Sequence, residues 1–193
     1  MCCSPPSAAD PFTRRAVTLA PDILWPTLGR VTAKRSAAVK RSAGILLFRR
    51  TARGIEVLLG HSGGPFYANR DAGAWSIPKG EYGPDERPFD AACREFAEEL
   101  GLPVPAGEPR PLGDVVQKNR KIVTAWAVEG DLDPADISPG TFSMEWPPGT
   151  GRMQQFPEID RVAWFSLAEA SDRMIARQQG FLPRLEEVAD ATG

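Results

Sequence analysis

Thirteen residues, Pro88 to Leu100, constrain this chain more than any other stretch. Pro88 stands at a helix's first turn, where a missing N–H costs nothing, and good helix formers follow. Gly101 then supplies the left-handed stop. Within the helix, Glu95, Glu98 and Glu99 fall at i, i+3 and i+4, which puts three carboxylates on one face. Phe89, Ala92, Cys93, Phe96 and Leu100 fall on another face, suited to packing on a sheet. Like charges at this spacing repel by about 0.2–0.5 kcal/mol on an exposed helix. A divalent cation held by hard oxygen donors would more than offset that cost, and Mg²⁺ or Mn²⁺ suits such donors. On spacing alone, however, a solvated acidic face is the better reading, because charge runs usually face water.

The rest of the chain sets the frame for that helix. With 193 residues, there is material for one domain with a core and too little for two comfortable ones. Apolar residues at 42% and charged residues at 25% place it in the globular range. A net charge of −2 argues against a protein that binds nucleic acid through bulk positive charge, so no DNA partner is expected. No run approaches the roughly 18–20 apolar residues of a membrane span, and no secretory signal is readable. Three Cys, two of them adjacent at Cys2 and Cys3, make no disulfide framework, so a reducing cytoplasm is the expected compartment. Residues 1–41 are rich in Pro and basic side chains without sustained periodicity, and are read as a disordered extension. A natural start at Val31 or Val39, through a GTG codon, is an alternative account of this tail; mass spectrometry tests it, and an intact Met1 peptide refutes it. Residues 42–193 form the expected domain. Strands are expected at Ser42–Arg50, Gly54–Gly60, Ala74–Ile77, Leu112–Gln117, Lys121–Glu129 and Arg161–Phe165. Helices are expected at Pro88–Leu100, Leu167–Arg177 and Leu182–Ala189, with loops at 61–73, 79–87 and 131–157. Such an order suggests an α/β fold, a sandwich of helices about a mixed sheet.

The helix belongs to a longer pattern: Gly80, five residues, Glu86, seven residues, then Arg94-Glu95-Phe96-Ala97-Glu98-Glu99-Leu100-Gly101-Leu102. This resembles the Nudix box, the signature of hydrolases acting on nucleoside diphosphates linked to another group, and every defining position is met. Trp75-Ser76-Ile77-Pro78-Lys79-Gly80 resembles the strand and turn that lead into that box, with the Pro78-Lys79-Gly80 entry resembling that of dinucleoside polyphosphate hydrolases, and Pro157 to Phe165 resembles the family's later strand. The region where that subgroup carries a Tyr reads Gln117-Lys118-Asn119-Arg120 here, and the Pro that ADP-ribose pyrophosphatases carry at a similar distance is absent. The resemblance implies a Nudix-type α/β/α sandwich and Mg²⁺- or Mn²⁺-dependent cleavage of a pyrophosphate linkage. It implies Glu95, Glu98 and Glu99 as metal ligands, joined by the backbone at Gly80. Arg94 would orient carboxylates such as Glu86 or Glu95, and Gly101 would cap the helix. A non-catalytic nucleotide-sensing module and an RNA 5′-end pyrophosphohydrolase are the alternatives.

Other candidates lie outside the box. Glu98 or Glu99 could act as base, as could Glu145 in the long loop or Glu158 before the late strand. Lys79 and Arg49 are candidate phosphate contacts, with Arg50, Lys118, Arg120 and Lys121 expected at one sheet end, and Tyr82 is a candidate base-stacking residue beside Tyr67 and Trp146. His61, the only His, is read as an ordinary loop residue. A small-molecule nucleotide is the expected partner, and the sequence sets no oligomeric state.

Overall fold

The computed structural model describes residues 39–191. The expectations placed on residues 1–38, a disordered extension and a start at Val31, fall outside them. Strands β1 (Arg41–Thr51) and β2 (Gly54–Ser62) form a hairpin around Ala52-Arg53. Two short strands follow, β3 (Trp75–Ser76) and β4 (Lys79–Glu81), then helix α1 (Pro88–Leu100). The chain continues through β5 (Arg110–Val116), β6 (Ile122–Glu129), β7 (Thr141–Glu145), β8 (Met153–Pro157) and β9 (Ile159–Ser166). It closes with helices α2 (Leu167–Arg173) and α3 (Phe181–Asp190).

Among the described residues, seven strands make one mixed sheet, in which β1 and β6 are parallel and the other pairs antiparallel. β1 alternates strictly. Ala43, Ile45 and Leu47 face α1, with Ala91, Ala92, Phe96 and Leu100, whereas Leu46 and Phe48 face α3, with Phe181, Leu182 and Leu185. Period-2 alternation with both faces apolar requires cover on both sides, and the helices supply it. The result is the expected α/β/α sandwich. Full burial of Phe96 makes it the strongest anchor of α1, worth roughly 3–5 kcal/mol against Ala.

β1 and β2 pair only near their turn, from Phe48↔Val57 to Thr51↔Gly54. Beyond that they diverge, and residues 75–81 fill the fork. β3 pairs with β2 at Gly60 and His61, β4 pairs with β1 at Ser42–Gly44, and the Ile45 N–H donates to the Pro78 carbonyl between them. This wedge carries Lys79 and Gly80 to the C-terminal half of α1, against Glu99 and Glu95.

Three expected loops hold structure. Lys79–Glu81 is a strand because β1 offers it an open edge. His61 and Ser62 continue β2, paired with β9. The segment 131–157 contains the β7–β8 hairpin, in which Phe142 and Phe156 pair across the strands, 6.1 Å between ring centroids. Its Pro and Gly cluster in the connection between the strands and concealed the alternation on either side. One expected helix is shorter: α2 stops at Arg173 because Met174 turns extended to bridge Trp75. Among the described residues, no helix is long and apolar enough to cross a membrane.

Candidate active site

α1 begins at Pro88 without a side-chain cap and ends at Gly101, whose φ of 73° and N–H to the Ala97 carbonyl form the expected stop. A Cβ at Gly101 would also lie 2.5 Å from the Ser138 carbonyl, so the helix end abuts the segment leading into β7. The acidic face of α1 meets β4. Glu95 lies directly on Gly80, where any Cβ would overlap its carboxylate, so only glycine allows that approach. Glu99 reaches the same wedge, its Oε2 accepting the Lys79 N–H at 3.0 Å.

Arg94 joins the cluster together. Its Nε and Nη2 fork onto Glu86 at 2.8 and 3.0 Å, and its Nη1 reaches Glu95 at 2.6 Å and Glu98 at 2.9 Å. Such a planar fork fixes carboxylate orientation as well as charge. Arg94 holds Glu86 well below its ordinary pKa. Glu99 moves the other way, to about 7. Burial is the main cause, and the negative charges of Glu158 and Glu95 add to it, against the opposing charge and N–H of Lys79.

Glu158, a candidate from its place before the late strand, is positioned by contacts distant in the chain. Its N–H donates to the Gly140 carbonyl, and its own carbonyl accepts from the Gly63 N–H, both at 2.9 Å. A Cβ built on Gly140 would stand 3.0 Å from the Glu98 carbonyl and 3.7 Å from Glu158 Oε2, so the base of the β7–β8 hairpin brings Glu158 against the acidic end of α1. Glu95, Glu99 and Glu158 therefore lie within electrostatic reach of one another beside Lys79 and Gly80, with Glu98 tied to Glu95 through Arg94.

This donor set fits a hard divalent cation: oxygen ligands only, with negative charge in excess of its neighbours. Among the described residues, no three acidic, His or Cys groups converge closely enough to hold a metal as they stand. Arg94 bridges the carboxylates of Glu95 and Glu98.

Other candidates are placed elsewhere. Glu145 closes the turn of its own hairpin, accepting the Gly151 N–H at 2.6 Å. Arg49 binds Glu56 and Asp131 and stacks over Trp164 at 4.2 Å. It lies at the end of β1 far from Ser42–Gly44, where β4 pairs. The basic residues do not share a sheet end: Arg49 and Arg50 lie by Glu129, whereas Lys121 lies by Arg41 and pairs with Glu81, because β1 and β6 run parallel. Tyr82 lines a cavity of about 640 Å³ with Lys40, Arg41, Glu81, Glu86 and Pro88. His61 is fully buried in β2, a correction to its reading as a loop residue; the strand had been ended at Gly60, which is glycine because Ile159 packs on it.

Residues 38–185 match the NUDIX domain family. No match was found among curated proteins. Among solved structures, a Caenorhabditis elegans Ap4A hydrolase in a binary complex is similar at 20% identity, over 78% of this chain and 98% of that one, with a TM-score of 0.57. The NUDIX domain of Shewanella oneidensis NrtR, complexed with ADP ribose, is similar at 17% identity over 84% and 96%, with a TM-score of 0.54. A Mycobacterium smegmatis Nudix hydrolase, RenU, is similar at 21% identity over 79% and 86%, with a TM-score of 0.51. With its intact box and a family match covering most of its length, the chain belongs to the Nudix hydrolases, enzymes that hydrolyse nucleotide pyrophosphate linkages.

Proposed function

We propose that this protein cleaves a pyrophosphate linkage that joins a nucleoside to a second bulky group, using Mg²⁺ or Mn²⁺ held by Glu95, Glu98 and Glu99. The observation that carries the reading is the gathering of these carboxylates with Glu158 around Lys79 and Gly80, where burial, reinforced by the charges of Glu158 and Glu95, raises Glu99 to about 7. A bound divalent cation would polarise the phosphate oxygens and neutralise developing charge. Arg94 orients Glu95 and Glu98 for that task while forked on Glu86. Glu158 accepts the proton of the attacking water, because it alone of the four comes from outside α1 and faces the cluster from across the hairpin base. Lys79 contacts phosphate, and Tyr82, with Lys40 and Arg41, offers a cavity of about 640 Å³ for a substrate group.

Two similar structures support the substrate class. One is named for Ap4A and the other holds ADP ribose, and both compounds carry a group on each side of a phosphate bridge. The Pro78-Lys79-Gly80 entry to the box adds weight to dinucleoside polyphosphates. A panel of dinucleoside polyphosphates, (d)NTPs, ADP-ribose and nucleotide sugars, assayed with each metal in ¹⁸O water, tests the proposal. Hydrolysis of two-sided compounds in preference to (d)NTPs is the expected outcome; a clear preference for (d)NTPs overturns the substrate class, and turnover unaffected by chelation overturns the metal assignment.

A further inference from the structure

His61 is the only histidine of the chain and is fully buried at the end of β2. Its Nδ1 lies 2.6 Å from Asp160 Oδ1, so it donates there. Its Nε2 lies 2.7 Å from both the Arg70 carbonyl and Arg161 Nη2, and can donate to the first or accept from the second, not both. Trp75 packs against the ring at 5.2 Å, on the side of the sheet away from α1.

Asp160 is the extra residue of a β-bulge. His61 pairs with Arg161, but the next residue, Ser62, pairs with Ile159, so two residues of β9 oppose one of β2. Side chains alternate with period 2 along a strand, so one added residue flips the face of everything before it. The effect is visible at Ile159, which packs on Gly60 within the α1-side core instead of joining His61 on the other face. Glu158, the next residue back, sits at a bend outside the alternation; its carbonyl accepts the Gly63 N–H, two residues beyond His61, so the register set at the bulge places it in the hairpin base beside Gly140 and the Glu98 carbonyl.

We infer that His61 is a positioning residue: by bonding Asp160 it pins the bulge that aims Glu158 at the carboxylate cluster. This rests on the proposed part of Glu158 in the reaction. The expected signature is a lower kcat with little change in KM, since His61 itself meets no substrate.

The test uses the most active compound of the panel above. His61→Leu removes the bond to Asp160, whereas His61→Asn keeps an N–H near the place of Nδ1. We expect His61→Leu to lower kcat about tenfold, in the range of lost outer-shell partners, and His61→Asn to restore most of it. Asp160→Ala, at a partly exposed position, should give the same loss without disturbing a buried site, and should shift the single imidazole Nδ1–H signal in NMR. In a Glu158→Gln background, His61→Leu should add no further loss. Losses that multiply, or wild-type kcat in both His61→Leu and Asp160→Ala while Glu158→Gln is impaired, overturn the role of His61. Near-normal turnover in Glu158→Gln alone overturns the part given to Glu158 instead, so the two failures are distinguishable.

Discussion

The two sides of the candidate site are built differently. On the box side, Gly80, Glu86, Arg94, Glu95, Glu98 and Glu99 lie within twenty residues, and the Arg94 guanidinium ties three of the carboxylates together. On the hairpin side, Glu158 has no such counter-ion among the described residues and is held by two backbone hydrogen bonds to Gly140 and Gly63, from segments far apart in the chain. The box side thus regulates charge, and the hairpin side regulates aim. Removing a charged partner should damage the first through metal affinity and the second through turnover.

The largest effect expected is on the box side. Glu98→Gln removes a ligand's charge while leaving an exposed, isosteric side chain, so turnover should fall at least about a hundredfold with the circular dichroism unchanged. Near-normal turnover would falsify the ligand assignment. Arg94→Ala should come next, with metal affinity reduced about 10–100-fold in calorimetry, because Glu95 and Glu98 lose their shared orienting group. If only kcat changed, the division between charge and aim would fail.

The pH dependence sharpens the same contrast. Glu99 has its pKa raised to about 7, so it is protonated below that value and ionised above it. Its contribution to the stability of the metal-free fold is present below the ordinary carboxylate range and is lost as pH rises through about 7. Mg²⁺ competes with that proton, so its apparent affinity should weaken by up to about tenfold per pH unit below 7, and its stabilising effect on Tm should be larger at pH 8 than at pH 6. A flat calorimetric affinity across that window would remove Glu99 from the ligand set.

Two smaller effects test what lies outside both sides. Glu145→Gln should change turnover by less than about threefold, because its carboxylate serves the hairpin turn through Gly151 and surface substitutions of this kind are mild. A hundredfold loss would move Glu145 into the site. Arg49→Ala should leave KM unchanged and cost about 1 kcal/mol in urea unfolding, through lost stacking on Trp164 and partly exposed pairs with Glu56 and Asp131. A raised KM would restore Arg49 as a substrate contact.

Much of this was legible in the residues themselves. Pro88 and Gly101 marked the ends of α1, and its carboxylate spacing put Glu95, Glu98 and Glu99 on a common face, because helical periodicity is a local property. The apolar, β-favouring run Ser42 to Arg50 announced a strand, and the sandwich followed from strands mixed with a central and a terminal helix. Other features were not legible. The strand at Lys79–Glu81 exists only because β1 and β2 diverge, and the β7–β8 hairpin only because its aromatic residues meet across the strands.

The sequence alone determined the acidic face of α1, since helical geometry depends on hydrogen bonds to near neighbours, and the reaction class followed from the resemblance of the whole 80–102 pattern to the Nudix box. Tertiary structure alone decided that Glu158 joins that face, that Arg49 does not, and that His61 is buried against Asp160. Strand pairing and a single bulge settle those positions, and such non-local contacts leave no periodic trace along the chain.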